Sequence, residues 1–215
     1  MDELRRELAA LHQELPKNGL VAWTSGNLSA RVPGEDLMAI KASGVAYEEL
    51  TADAIVICDL YGTLVEGDLS PSSDAATHGY VYRARPDVGG VAHTHSAYAT
   101  AWAIRGEPIP CVLTAMADEF GGDIPVGPFA LIGDEAIGRG IVETLEGRNS
   151  PAVLMRAHGV FTIGSTARDA VKAAVMCEDV ARTVHLARAL GDVVPLDPES
   201  IEALHDRYQN VYGQR

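Results

Sequence analysis

Apolar residues recur at helical spacing near the start of the chain, at Leu4, Leu8, Leu11 and Leu15. This pattern predicts an amphipathic helix that ends at Pro16. Further helices are predicted at residues 75–84, 96–104, 134–145 and 167–190, and from Pro198 onward. Thr166 is a suitable N-cap for the longest of them.

Short apolar or β-branched runs between turn residues predict strands at residues 37–40, 54–58, 63–65, 91–94, 152–155 and 160–163. Tyr61 and Gly62 form a predicted hairpin turn between two of these runs. A second hairpin-like arrangement carries His158 at its turn, and a Gly/Pro-rich loop is predicted at residues 121–128. These features favour antiparallel strand pairing.

Composition favours one globular domain over residues 1–215, since 47% of the residues are hydrophobic and 22% are charged. The charged N-terminus does not resemble a signal peptide, and no apolar run reaches membrane-spanning length, so we expect a cytoplasmic protein without a membrane partner. Cys58, Cys111 and Cys177 lack the paired spacing of a metal knot or redox site. We expect buried thiols.

Charge limits the possible partners. The formal net charge of −13 repels a polyanion, and no segment concentrates Lys and Arg with aromatic residues, so nucleic acid is not expected as a partner. A small anionic ligand is still compatible with this charge. Inside a closed pocket, a few backbone N–H groups and one lysine outweigh the electrostatic repulsion from the distant acidic residues.

The motif His93-Thr94-His95 lies at the end of a predicted strand and before a predicted helix. Alternate residues of a strand point to the same face, so both imidazoles can bind one metal ion. A single His-x-His motif is also common by chance. A strand-to-helix junction, however, often presents functional groups.

A metal site with two imidazoles needs a third protein ligand. His158 is the best candidate, because it lies between two apolar runs and beside Gly159. His12, His185 and His205 lie on predicted amphipathic helices, where a solvated or capping role is expected. His78 is expected to pack against its surroundings.

Ser72, Ser73 and Asp74 stand at the predicted start of the helix at residues 75–84. Backbone N–H groups and the helix dipole favour an anion at such a position. In one interpretation Asp74 is a helix N-cap. In the other, the serines bind a phosphate while the carboxylate approaches the metal as a ligand or base.

Two other segments combine glycine with polar donors, Thr24-Ser25-Gly26-Asn27 and Lys41-Ala42-Ser43-Gly44. Glycine permits close approach of the backbone to an anion, and the second segment adds an ammonium group. Each segment is also compatible with an ordinary turn.

Seven segments, in this order, resemble the class II aldolase/adducin family: LPKNGLVAWTSGNLSAR, IKASGV, LSPSSDAATH, GGVAHTHSAYATAWA, MADEFGGDIP, AHGVFTIG and VYGQ. The resemblance runs nearly end to end. It implies an α/β (α+β-like) single domain, in which helices cover both faces of a largely antiparallel β-sheet.

The resemblance also implies roles for individual residues. The implied metal ligands are His93, His95 and His158, with Asp74 beside them. The implied phosphate cradle consists of Gly26, Asn27, Ser43, Gly44, Ser72 and Ser73, with Lys41 adjoining it. Asp118 and Tyr212 match an acid/base pair.

The same resemblance implies one divalent metal ion per subunit, first of all Zn²⁺, with Mn²⁺ or Co²⁺ as alternatives. It further implies a homotetramer with active sites between subunits, which would let Tyr212 reach the metal of a neighbouring copy.

Within the family, the resemblance is strongest to members that epimerise a pentulose 5-phosphate, because this chain has Asp74 where the family's aldolases have Glu. The implied activity is reversible C3–C4 cleavage of L-ribulose 5-phosphate and re-addition to give D-xylulose 5-phosphate. Two alternatives are a class II aldolase of the fuculose-1-phosphate type and a non-catalytic adducin-like interaction domain. The complete histidine set argues against the latter.

Overall fold

The computed structural model describes residues 1–211, in which eight strands form one sheet. The strands are β1 (Asn27–Arg31), β2 (Leu37–Lys41), β3 (Ile55–Asp59), β4 (Leu64–Glu66), β5 (Gly90–Thr94), β6 (Val126–Gly127), β7 (Ala152–Met155) and β8 (Gly159–Gly164). Their order across the sheet is β4-β3-β2-β1-β5-β8-β7-β6. All neighbouring pairs are antiparallel except β6 and β7. The predicted largely antiparallel sheet is confirmed.

The α-helices are α1 (Asp2–His12), α2 (Glu14–Lys17), α3 (Ala75–Ala84), α4 (Ala97–Arg105), α5 (Thr114–Phe120), α6 (Ala136–Leu145), α7 (Ala167–Leu190) and α8 (Pro198–Asn210). Two short 3₁₀ helices lie before β3, at Tyr47–Glu49 and Ala52–Ala54. The described helices include every helical segment predicted from the sequence, although several ends differ by one or two residues and the first predicted helix is divided into α1 and α2.

Alternation along the strands divides the core into layers on the two faces of the sheet. Ala92 of β5 packs in the layer that contains α1 and α7, whereas the adjacent Val91 packs in the layer that contains α3 and α6. Beside the first layer, α4, α5 and α8 pack with α7 over β7 and β8. Helices therefore cover both faces, as expected.

Three details of the predicted elements are wrong or incomplete. The first helix ends at His12, and Pro16 lies in the first turn of α2, where the amide that proline lacks would have no helical acceptor. Strand β1 and helix α5 were not predicted. The expected loop at residues 121–128 contains β6.

Strand β1 was not predicted because Gly26 and Asn27 are residues typical of a turn. Asn27 and Ser29 alternate with Leu28 and Ala30 along the strand. The polar members of this alternation are buried and bonded to other elements, so no solvent-facing pattern marks the strand.

Cys58, Cys111 and Cys177 are buried free thiols, as expected. Among the described helices, none combines the length and the apolar composition that a membrane crossing requires.

Candidate metal centre

Strand β5 lies between β1 and β8 and directs His93 into the candidate site. In the antiparallel register, His93 lies directly opposite Asn27 of β1 and Phe161 of β8. Cross-strand partners project from the same face of a sheet, so these three side chains form one row. His95 follows the end of β5, and His158 lies in the turn between β7 and β8 at the same end of the sheet.

The structure brings together all three histidines predicted as metal ligands. One ligand nitrogen from each of His93, His95 and His158 lies within 4.8 Å of the others. The Nε2 atoms of His93 and His95 are 2.9 Å apart. Nitrogens of a tetrahedral zinc site, with Zn–N of about 2.0 Å, are about 3.3 Å apart, so this donor set fits one shared divalent ion.

Two contacts orient the His93 ring. Its Nδ1 atom lies 2.9 Å from the Val160 carbonyl oxygen. A carbonyl oxygen accepts only, so Nδ1 carries the proton and Nε2 presents its lone pair to the cluster. The ring also stacks on Phe161, with a centroid separation of 4.0 Å and an interplanar angle of 11°.

Burial keeps the imidazoles neutral. It lowers the pKa of His93 to about 3, although Asp74 opposes this effect. Burial also lowers the pKa values of His95 and His158. Neutral imidazoles offer lone pairs at neutral pH, which is the form that binds a metal. The Nδ1 atom of His158 is buried without a hydrogen-bond partner in the described structure.

The turn that carries His158 is strained. Ala157 has φ of +55°, in the left-handed region that costs an alanine about 1–2 kcal/mol. Two backbone bonds hold this conformation, from His158 N–H to Met155 O at 3.0 Å and from Ala157 N–H to Ala103 O at 3.1 Å. The second bond joins the turn to α4. The position of His158 therefore depends on α4 as well as on the hairpin.

Asp74 occupies the N-cap position of α3 but makes no side-chain cap bond. Its Oδ2 atom instead accepts a 2.6 Å hydrogen bond from Asn27 Nδ2. Burial acts to raise the pKa of Asp74, but His93, His78, the hydrogen bond from Asn27 and His158 together outweigh that effect, and the net pKa is lowered. The carboxylate is thus a buried anion beside the imidazole cluster.

His78, expected to pack, is fully buried in α3. Its Nδ1 atom lies 2.7 Å from Ser29 Oγ, which in turn lies 2.7 Å from the Tyr82 hydroxyl. This network ties α3 to β1, the strand that carries Asn27.

His12 is neither solvated nor a surface cap. It is fully buried, its Nδ1–H donates to Leu8 O at 2.7 Å, and its Nε2 accepts from Leu28 N–H at 3.0 Å. Since Leu28 follows Asn27, His12 holds α1 against the start of β1. The prediction failed because His12 lies on the apolar face of α1, which the leucine spacing already indicated. His185 is exposed beside Tyr98, in agreement with the prediction.

Lys41 is a buried cation, with 2% of its surface exposed. Its Nζ atom makes long contacts with two carbonyl oxygens, Thr24 O at 3.5 Å and Ala42 O at 3.4 Å. No carboxylate forms an ion pair with it among residues 1–211. Burial lowers its pKa. A buried ammonium without a counter-charge is costly and favours an anionic ligand.

The segments predicted as a phosphate cradle lie together around Lys41. Ser43 N–H donates to Ser70 O at 2.9 Å and Ser72 N–H donates to Lys41 O at 3.1 Å, which joins two of the segments. The contact of Lys41 with Thr24 O joins the third. Ser43 and Ser73 are exposed, and Ser72 is half-buried.

Gly26 brings the cradle close to the histidines. It has φ of +74°, and a Cβ atom there would lie 2.8 Å from His93 O and 2.5 Å from a Val21 methyl group. Only glycine fits this conformation and this approach. Gly44 also has a left-handed φ, of +71°, with open space where its side chain would be.

The structure does not bring Asp118 to the histidines. Asp118 lies in α5, and its carbonyl oxygen accepts a hydrogen bond from His205 Nδ1 of α8 at 3.0 Å. Helix α5 ends at Phe120, and the following Gly121 packs against Asn149, just before β7 begins. The histidine cluster lies at the other end of β7. The Oδ1 atom of Asp118 is buried and has no partner among the described residues. Tyr212 lies outside those residues.

Some contributors to the site were not predicted from the sequence. Phe161 stacks on His93, and Ser29 holds His78. Phe161 has a signal in the sequence, since it lies in an apolar run directly after His158. Ser29 has none, because its role depends on the pairing of β1 and on the packing of α3.

A family model described as the Class II Aldolase and Adducin N-terminal domain matches residues 6–185. A curated relative, L-ribulose-5-phosphate 4-epimerase UlaF of Salmonella paratyphi B, is 42% identical over 208 residues. That match covers 92% of this chain and 91% of the relative.

Solved structures have the same architecture. An L-fuculose 1-phosphate aldolase superposes with a TM-score of 0.90 at 30% identity, covering 96% of both chains. An L-fuculose-1-phosphate aldolase from Thermus thermophilus superposes with a TM-score of 0.73 over 87% of this chain and 95% of its own. Its 23% identity supports the fold alone.

Replacing His158 with alanine is expected to abolish stoichiometric Zn²⁺ binding, because two imidazoles alone do not hold the ion tightly. Metal content after dialysis, measured by mass spectrometry on the folded protein, tests this. The exposed His185→Ala variant is the control and should retain zinc. Stoichiometric zinc in His158→Ala would eliminate His158 as the third ligand.

Proposed function

The chain belongs to the class II aldolase and adducin family, and on that premise we propose that it is a metal-dependent L-ribulose-5-phosphate 4-epimerase. Its product would be D-xylulose 5-phosphate. The similarity to a curated epimerase over nearly the whole of both chains supports this substrate class.

The observation that carries the proposal is the adjacency of two binding sites around Asn27. On one side, Asn27 lies opposite His93 and donates to Asp74, beside the histidine cluster. On the other side it follows Gly26 in the loop that contacts the buried, unpaired Lys41. A ligand that joins a phosphate to a metal-chelating ketose would satisfy both sites.

We assign the binding roles as follows. His93, His95 and His158 hold one divalent ion, Zn²⁺ in the first place, with Mn²⁺ or Co²⁺ as alternatives. Bound there, the ion supplies Lewis-acid polarisation of the ketose carbonyl. Asp74 lies beside the cluster as a further ligand or as a base. The phosphate is held by Lys41 together with Gly26, Asn27, Ser43, Gly44, Ser72 and Ser73.

The chemistry is a reversible retro-aldol reaction. A base removes the proton of the C4 hydroxyl group while the C3–C4 bond breaks and its electron pair is delocalised as an enediolate. The phosphate cradle retains the glycolaldehyde phosphate fragment while its carbonyl rotates, and re-addition occurs on the opposite face. Asp118 and Tyr212 donate and accept the protons on the two faces.

The position of Asp118 supports a site shared between copies. Within one chain, α5 ends at the sheet end opposite the histidine cluster. We therefore propose a homotetramer in which acid/base residues of one copy reach the metal of a neighbour. A heterologous interface of this kind forms a closed ring when the rotation between neighbouring copies closes.

An aldolase of the fuculose-1-phosphate type is the second candidate, favoured by the superposition with TM-score 0.90. The same residues would cleave the substrate, and release of the aldehyde would distinguish the two outcomes. Asp74 argues for the epimerase, because its carboxylate is shorter by one methylene than the Glu of the family's aldolases.

Incubation of the zinc-loaded protein with L-ribulose 5-phosphate is expected to yield D-xylulose 5-phosphate without free aldehyde. Product analysis by NMR measures both compounds, and L-fuculose 1-phosphate is the parallel substrate. Accumulation of lactaldehyde and dihydroxyacetone phosphate from that second substrate, with no epimerisation of the first, would establish the aldolase instead.

The Tyr212→Phe variant is expected to lose epimerisation, by about 100-fold or more, because it lacks a general acid/base group. Its zinc content should stay at the wild-type level. Full activity in this variant would remove Tyr212 from the mechanism.

Mixing two inactive variants tests the shared site. After joint refolding of Tyr212→Phe with His158→Ala, roughly a quarter of the sites in random tetramers combine an intact metal site with an intact tyrosine from the neighbour. We expect activity to return toward that level. No recovery from verified mixed tetramers would place Tyr212 and its metal in the same chain.

The Lys41→Met variant is expected to separate stability from binding. Loss of a buried, unpaired charge should leave the free energy of unfolding unchanged or raise it by about 1–3 kcal/mol. Loss of the contact with phosphate should raise KM at least tenfold, since a hydrogen bond to a charged group contributes about 1.5–3 kcal/mol.

Denaturant unfolding and steady-state kinetics measure these two quantities. Lys17→Met is the matched control, because Lys17 is exposed and pairs with Glu14 at the surface. This control variant should leave KM unchanged and should change the free energy of unfolding only slightly. An unchanged KM in Lys41→Met would exclude Lys41 from the phosphate site.

A further inference from the structure

Helix α4 contacts the two chain segments that carry His95 and His158, which are the exposed and the half-buried members of the histidine cluster. It begins at Ala97, two residues after His95. Near its other end, the carbonyl oxygen of Ala103 accepts the 3.1 Å bond from Ala157 N–H, next to His158. A displacement of α4 would therefore move His95 and His158 relative to His93, which is held in the sheet.

The N-terminus of α4 is held by a side chain from another helix. Glu178 of α7 accepts hydrogen bonds from Tyr98 N–H at 2.9 Å and from Ala99 N–H at 2.8 Å. These are the second and third amides of the helix, the ones that an N-cap side chain ordinarily satisfies. A carboxylate there also complements the positive end of the helix dipole.

Glu178 takes the capping role that the local N-cap residue of α4 would ordinarily have. Ser96 is the N-cap residue of α4, and serine is among the preferred capping residues, but its hydroxyl makes no cap bond. Its Oγ atom is buried without a partner in the described structure. Two of the first amides of α4 are thus satisfied by a side chain of α7 and not by a local capping side chain.

We propose that Glu178 is a positioning residue for the metal centre, acting through α4 on His95 and His158. The inference rests on the metal site of the proposed function. Glu178 is remote in sequence from every candidate ligand, and among the described residues its carboxylate accepts hydrogen bonds from these two backbone amides. Its effect therefore reaches the metal through the geometry of the two histidines.

The Glu178→Gln variant preserves the shape of the side chain but cannot accept both bonds, because an amide NH₂ group would face one of the two N–H donors. We expect the dissociation constant for Zn²⁺, from competition with a chromophoric chelator, to rise about tenfold, in the range found for residues that orient metal ligands. The visible absorption bands of the Co²⁺-loaded protein should shift.

Thr166→Ala is the matched control. Thr166 caps α7 through Asp169 N–H at 3.2 Å, at the sheet end opposite the histidines. Its loss should lower the unfolding temperature while the Zn²⁺ dissociation constant and the Co²⁺ spectrum stay unchanged. A similar loss of zinc affinity in this control would mean that general destabilisation, and not Glu178, weakens the site.

Hydrogen exchange on the wild-type protein supplies a test that needs no variant. Coupling between two sites is reciprocal, so Zn²⁺ loading should slow exchange of the Tyr98 and Ala99 amides. Unaltered exchange of these amides would overturn the inference about Glu178 but not the proposed function. An unaltered zinc affinity and Co²⁺ spectrum in Glu178→Gln would do the same. Failure of the wild-type protein to bind either metal would overturn the proposed function with it.

Discussion

The placement of β5 between β1 and β8 is the constraint on which the rest of the site depends. It sets His93 opposite Asn27 on one side and Phe161 on the other. A slip of one residue in either pairing would turn the side chain of His93 or of its partner to the opposite face. The same register delivers Val160 O to His93 Nδ1, so sheet formation also selects the ring nitrogen that faces the cluster.

Buried polar groups in this chain fall into two kinds. Those that build the frame are satisfied by neighbours, as in the two bonds of His12 and the link from Ser29 to Tyr82. Around the candidate site, by contrast, described atoms lack partners, among them Asn27 Oδ1 and His158 Nδ1. Unpaired buried groups cost about 1–3 kcal/mol each. At the candidate site, a bound ligand would offset that cost.

Much of the fold could be predicted because its long helices and hairpin strands have local periodicity, and the turn position of His158 follows from the apolar runs beside it. The three histidines were identified by their pattern, and the structure brings them together. Strand β1 and the network around Ser29 could not be predicted, because their polar side chains bond to distant elements. The cap of α4 by Glu178 depends on helix packing, for which the sequence holds no periodic signal.

The separation of Asp118 from the histidines links the proposed chemistry to assembly. A proton carrier has to reach the substrate within hydrogen-bond distance, and α5 ends beside the beginning of β7, at the sheet end opposite the metal ligands. On the proposed mechanism, a second copy would supply the missing group without any distortion of the fold. The loop before α6 exposes Phe129, Leu131 and Ile132 by 60%, 73% and 59%, and apolar side chains clustered in this way are typical of surfaces that associate. On the proposed mechanism, assembly would then be a condition of catalysis, because each chain folds around a metal centre whose proton carriers belong to its neighbour.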